Sequence, residues 1–289
     1  PVGISDFKKI RENDYYYIDK SGLIKELLKR ESAEVTLITR PRRFGKTMGM
    51  SMLAHFFDIR SDNRRLFDGL EITRDEALCG AWMNQYPVVF LTLKDIDGLT
   101  FEDAYERLAV QISNLYKEHA YLLESERMDS DDRTLFKELK SGSAGKIQVG
   151  QSLHTMSTAL KDNTTLRFAV ITGCLKIAKE SIFTGTNNFV SDNITDSRFN
   201  EYFGFTQEEV DQILTDANVS GKAEEVKRWY YGYHFGRFDV YCPWDVMNYM
   251  RDLQQNPEAA PASRKRNKNK KMQVTVSYIT VTCIFLFIA

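Results

Sequence analysis

Nine residues, Thr39-Arg40-Pro41-Arg42-Arg43-Phe44-Gly45-Lys46-Thr47, constrain this chain more than any other stretch. They follow an apolar, strand-like run, Val35-Thr36-Leu37-Ile38, and precede Met48 to Phe57, whose Met48, Met52, Leu53, Phe56 and Phe57 recur at helical spacing. A strand, a tight turn ending Gly-Lys-Thr and a helix form the phosphate-cradling P-loop arrangement. Each residue type has a chemical reason to be there. Gly45 lets backbone N–H groups approach a phosphate without a Cβ in the way. Lys46 brings a point charge to the β/γ-phosphates, and Thr47 offers a hydroxyl to Mg²⁺. The helix N-terminus behind them adds partial positive charge. Arg42 and Arg43 can add charge there or bind a neighbour. The full pattern also asks for glycine five positions before Gly45, where this chain has Arg40.

The rest of the chain reads as strands alternating with helices. Val35–Thr39 is the first central strand. Pro87-Val88-Val89-Phe90-Leu91-Thr92-Leu93 is the second, almost wholly apolar as a strand covered on both faces must be. It ends at Lys94-Asp95, where an acidic side chain could hold a Mg²⁺-bound water or simply solvate a turn. Leu166 to Gly173 is the third strand. Thr172 at its tip could sense a γ-phosphate or cap the turn that follows. Tyr15-Tyr16-Tyr17-Ile18 reads as a short edge strand, and Asp19 or Ser21 as the cap of a helix through Leu28. Helices are expected from Phe101 to about Glu126, on to Leu139 after the Asp129-Ser130-Asp131-Asp132 cap, from Gln151 to about Leu160, over Ala223 to Tyr230, and from Pro243-Trp244 to about Leu253. Thr206-Gln207-Glu208-Glu209 is a capping box opening another. Tyr231 to Gly236 carries turn glycines, and His234 reads as a structural histidine without a partner at ligand spacing.

Charge and cysteine narrow the classes. Arg264 to Lys271 holds six cations and no anion, which leaves the rest of the chain at −7 although the whole sums to −1. An acidic body argues against broad capture of nucleic acid. Cys79, Cys174, Cys242 and Cys283 are too far apart in sequence for a zinc knuckle and imply free thiols in a reducing compartment. Pro1 to Phe7 has no signal-peptide profile, so a cytoplasmic location is expected. Met272 to Ala289 carries no charge. Behind a basic octet it reads equally as a short tail anchor or a β-prone segment, since eighteen residues barely approach the ~20 that span a bilayer.

Several further words stand in order with the nine-residue stretch: Tyr16-Tyr17-Ile18-Asp19-Lys20-Ser21, Phe90-Leu91-Thr92-Leu93-Lys94-Asp95, Thr172-Gly173-Cys174 through Thr184-Gly185, Trp229-Tyr230-Tyr231-Gly232-Tyr233-His234-Phe235-Gly236 and Tyr241-Cys242-Pro243-Trp244. Over about residues 3–263 the chain resembles the bacterial AAA-ATPase-like domain family, whose longer members carry a C-terminal PD-(D/E)XK nuclease domain. The resemblance implies an α/β fold: a P-loop NTPase-like, mostly parallel sheet with a C-terminal helical lid. It makes Arg40 a normal family residue. It also exposes departures. The acidic Walker B strand is missing, with a seam near Ser157–Ala159, and in this fold class that strand lies between the strands at 87–93 and 166–172. The sheet is therefore expected to be incomplete. Tyr231 and Cys242 replace what usually look like Asp and Asn. The resemblance ends near Ser263, and no nuclease pattern follows.

These readings imply a P-loop core over 1–190, a lid over 191–263, and a tail over 264–289 expected to be disordered or the product of a mis-joined reading frame. The ligand is expected to be ATP with Mg²⁺, held by Arg42, Arg43, Gly45, Lys46, Thr47 and Thr172, with Thr47 on the metal. Hydrolysis is expected to be impaired and no catalytic residue is assigned. Nucleic acid and membrane are not expected, and an oligomer is left open. The alternative is a regulatory or interaction module without a competent nucleotide site.

Overall fold

The computed structural model describes residues 2–29, 35–93, 96, 99–126, 128–152, 166–174, 189–196, 198–261 and 281–288. In chain order the elements are α1 (Phe7–Glu12), α2 (Gly22–Leu28), β1 (Val35–Thr39), α3 (Lys46–Phe57), α4 (Glu76–Trp82), β2 (Val88–Thr92), α5 (Phe101–Glu118), α6 (Ser130–Ser141), β3 (Leu166–Gly173), β4 (Phe189–Asp192), α7 (Gln207–Asp216), α8 (Ala223–Tyr230), β5 (Tyr233–Phe235), β6 (Phe238–Val240), α9 (Pro243–Gln255) and β7 (Val281–Ile288). The fold is mixed α/β.

The main sheet has the order β2-β7-β3-β1-β4. β1 lies parallel to β3, with Val35 opposite Ala169 and Thr39 opposite Gly173, and parallel to β4, with Ile38 opposite Asp192. All five residues of β1 are buried, as its place between two neighbours requires. The sheet is covered on both faces. Ile38, Val88 and Val170 pack with Phe7, Leu23, Met52 and Phe56 of α1, α2 and α3. Val89 and Leu91, pointing the other way along β2, pack with Ile112, Leu115, Tyr116, Phe136 and Leu139 of α5 and α6. A separate apolar cluster joins Val210, Ile213 and Leu214 of α7 to Val226 of α8 and to Val246, Tyr249 and Leu253 of α9. That cluster is the core of the C-terminal helical region. The β5–β6 hairpin closes beside it.

The slot between β2 and β3, where the sequence leaves the sheet one strand short, is filled from the tail. β7 runs antiparallel to both neighbours, with Val89 opposite Leu286 on one side and Ala169 opposite Leu286 on the other. The sequence reading leaves 264–289 outside the fold, yet Val281–Ile288 is a strand within it. A charge-free, β-branched and aromatic octet is the composition that a slot covered on both faces accepts.

Other differences are local. The tyrosine run is no strand: residues 15–20 are irregular, because Asp14 turns the chain at positive φ and Tyr15 N closes onto Ile10 O of α1 at 3.0 Å. Tyr17 instead packs edge-on against Phe7. The long helix from Phe101 stops at Glu118, and Ala120–Glu124 continues as a 3₁₀ turn. Lys94, Asp95, the seam near 157–159, Leu175 to Gly185 and the basic octet lie outside the described residues.

Candidate functional site

The candidate site is the loop between β1 and α3. The chain leaves the sheet at Thr39, and Arg40 N donates to Gly173 O of β3 at 3.1 Å, so the ladder extends one residue into the loop. Gly45 sits at φ 81°, in the left-handed region, and caps α3 with no side chain over the first turn. A Cβ built there would meet nothing within 4 Å. The glycine is therefore required by backbone conformation rather than by lack of room. Arg43 also takes a left-handed φ, 74°, a conformation that costs a non-glycine residue free energy and persists only where its surroundings impose it.

Lys46 is almost completely buried. Its Nζ donates to Arg40 O at 2.9 Å and Pro41 O at 2.7 Å, so the ammonium lies folded across the start of its own loop. Thr47 follows in the first turn of α3, half-buried. Arg42 and Arg43 are exposed. The Arg43 guanidinium lies 5.0 Å above the Trp244 ring. Thr172 lies opposite Ile38 at the β3 tip. It is fully buried, and its Oγ1 has no hydrogen-bond partner among the described residues. A buried hydroxyl with nothing to bond is costly and marks a position where a ligand or water would be accepted.

Arg40 was the misfit of the sequence pattern, and it is the most completely buried cation near the loop, at 0 % exposure. Its Nη1 donates to Thr39 O (2.9 Å) and Asp192 O (3.2 Å). Its Nη2 donates to Asp192 Oδ1 (2.5 Å) and Asn200 Oδ1 (2.7 Å). The guanidinium also faces the rings of Phe203 and Phe235 at 5.6 and 5.8 Å. Burial lowers the Arg40 pKa and raises that of Asp192, and each is opposed by the contact between them. Removing one member of such a pair costs about 3–5 kcal/mol, because the other stays buried and unpaired.

The loop is also clamped from the C-terminal region. Phe44 is buried against Phe235 (5.1 Å between ring centres) and Tyr233 (4.9 Å) of β5. Gly204, at φ 111°, lets Val240 and Phe44 approach; a Cβ there would lie 3.0 Å from one and 3.3 Å from the other. Cys242 Sγ donates to Arg43 O at 3.8 Å, and burial pushes its thiol up to about 11. Tyr231 OH donates to Asp239 Oδ2 at 2.6 Å, and the same carboxylate meets His234 Nδ1 at 2.8 Å. His234 thus has a partner five residues on, supplied by the hairpin register.

The structure brings Gly45, Lys46 and Thr47 together at the start of α3 and sets Thr172 at the neighbouring strand tip. It leaves Arg42 and Arg43 on the surface. Asp192, Asn200 and Phe235 were missed from sequence, since nothing in their spacing says that they meet the loop, and Phe44 was read as part of the loop without its role as the residue that packs on the hairpin. Among the described residues no three His, Cys, Asp or Glu side chains gather around a metal position. No helix among them is long and apolar enough to cross a membrane.

Fold and site together define a mixed α/β protein in which an interior strand, β1, feeds a lysine-bearing loop and helix. The family described as Predicted AAA-ATPase matches residues 1–149, more than half of the chain, and the chain belongs to that family. A curated relative, an uncharacterized protein encoded in the vnfD 5′ region of Azotobacter chroococcum mcd 1, is 30% identical over 272 residues, covering 86% of this chain and 51% of the relative. The chain thus spans about half the length of the curated relative it matches. No solved structure matches it.

Proposed function

We propose that this protein binds ATP with Mg²⁺ at the β1–α3 loop and hydrolyses it poorly. The observation that carries the reading is the juxtaposition at the tips of β1 and β3: an uncapped α3 N-terminus behind left-handed Gly45, Lys46 folded over the loop, and the orphaned Thr172 hydroxyl on the adjacent strand. These groups suit a phosphate chain. Lys46 Nζ would exchange two loop carbonyls for β/γ-phosphate oxygens. Backbone N–H groups of the first turn of α3 would hold the phosphates, Thr47 would hold the metal, and Arg42 or Arg43 could add charge from the surface. Mg²⁺, when bound, supplies charge neutralisation between the phosphates.

Poor hydrolysis follows from the strand beside β3. Phosphoryl transfer relies on positioned charge and an oriented water, and Val281–Ile288, which occupies that place, carries no carboxylate. Calorimetric titration of Mg·ATP into wild type and Lys46→Ala tests the binding. A loss of tenfold or more in the variant is expected, and equal affinity overturns the assignment. Phosphate release at about 1 s⁻¹ or faster, an ordinary enzyme turnover, overturns the claim of impaired hydrolysis. A second reading, an interaction module without a nucleotide site, is favoured by one fact: Lys46 is already satisfied by two carbonyls. On that reading Mg·ATP leaves the melting temperature unchanged.

A further inference from the structure

Arg40 stands where a phosphate loop would ordinarily have a small residue, and it faces inward. Its four hydrogen bonds go to β1, to β4 and to the 198–205 segment. Phe235 of the β5–β6 hairpin touches both the Arg40 guanidinium and the Phe44 ring, so two loop residues grip one side chain of the hairpin. Lys46 in turn rests on the carbonyl of Arg40 itself. The position of that carbonyl, and with it the resting place of the ammonium, is set by where the Arg40 side chain is anchored.

We infer that Arg40 is a positioning residue for the phosphate loop: anchored on Asp192 and Asn200, it fixes the loop's entry and couples the loop to the β5–β6 hairpin. The inference rests on the nucleotide-binding reading of the same loop and names what holds that loop in shape. A guanidinium suits the task because its planar fork can serve Asp192 Oδ1, Asn200 Oδ1 and two carbonyls at once, while a lysine ammonium is a point charge on a flexible stem. The coupling has a built-in reporter. Trp244 lies under the Arg43 guanidinium, and Arg43 O accepts from Cys242 two residues before that ring. A loop that rearranges around a triphosphate changes the surroundings of the Trp244 indole.

The test uses the full chain with Mg·ATP as the probe. Three variants are compared with wild type: Asp192→Asn, which keeps shape and removes the charge; Arg40→Lys, which keeps charge and removes the fork; and Asn200→Ala, which removes one acceptor and leaves the ion pair. Each is melted, titrated by calorimetry and followed by tryptophan emission, with Trp244→Phe identifying the share of the signal due to that ring. Expected are a Trp244 emission change on binding in wild type, a loss of affinity of tenfold or more with that change abolished in Asp192→Asn and Arg40→Lys, and a few-fold loss in Asn200→Ala, which keeps a cooperative melt even if the other two do not. Wild-type affinity and an unchanged Trp244 response in every variant that keeps a cooperative melt, Asn200→Ala alone included, overturn the role of Arg40. Failure of wild type to bind Mg·ATP instead overturns the parent reading, so the two failures are separate.

Discussion

Acid should unfold this protein through His119, and the size of the effect can be worked out. His119 ends α5 and is completely buried. Its Nδ1 lies 3.2 Å from Tyr121 OH, while its Nε2 has no hydrogen-bond partner among the described residues. Burial, with the Arg60 guanidinium nearby adding to it and Asp58 opposing it, lowers the imidazole from 6.5 to about 4. The folded state therefore holds the ring neutral while the unfolded chain protonates it first. Its contribution to stability is whole above about pH 6.5 and is lost as pH falls towards 4. At about 1.36 kcal/mol per unit the full loss is about 3 kcal/mol, most of it gone by about pH 4.5. Glu118 beside it has a raised carboxyl pKa, caused mainly by burial, which acts in the opposite direction as pH falls. The clean measurement is therefore a difference. Urea unfolding of wild type and His119→Gln at about pH 7.5 and 4.5 should show wild type losing about 2 kcal/mol more than the variant. Parallel losses would refute the reasoning.

Other perturbations follow from the same contacts. Removing residues 264–289 strips β2 and β3 of their shared neighbour and leaves two unpaired edges inside a covered sheet, so the shortened chain should melt without cooperativity or aggregate on heating, read by circular dichroism and light scattering. Cys242→Asn should place an amide donor against Arg43 O in place of a weak thiol donor and stabilise the protein by about 0.5–1 kcal/mol in denaturant titration. In the native wild type, the buried, raised Cys242 thiol should resist iodoacetamide near pH 8 and react only after unfolding, as mass spectrometry of the peptides would reveal. Thr206→Ala should cost about 1 kcal/mol by removing the N-cap that accepts from Glu209 N at 3.3 Å.

What could be read from the sequence was what local chemistry decides. The Thr206–Glu209 capping box is present on both sides. Asp129 caps α6 by accepting from Asp131 N and Asp132 N, as an acidic cluster before a helix should. α8 runs from Ala223 to Tyr230 and β3 from Leu166 to Gly173, as their patterning suggests. The α3 boundary is two residues earlier than the apolar spacing implies, because left-handed Gly45 starts the helix at Lys46. Contacts between distant segments left no such mark. Arg40 and Asp192 are 152 residues apart, and nothing in either neighbourhood announces the pair. The β5–β6 hairpin hid behind glycines that suggest only turns. The tyrosine run misled because β-propensity describes a half-buried surface, and these side chains pack one by one.

The place of β7 also sets an order of events in time. Val89 and Leu286 are ladder partners across nearly two hundred residues of chain. β1, β2, β3 and β4 are all synthesised before Val281–Ile288, at roughly 5–20 residues per second. Until then β2 has no ladder partner joining it to the β3-β1-β4 triplet and is held to it only by side-chain packing on the α1–α3 face. The closing step is a long-range pairing, which is slow because the loop entropy is lost before the contacts form. During that wait β2 and β3 each present an open apolar edge, so the greatest exposure to aggregation falls between the completion of β4 and the arrival of β7.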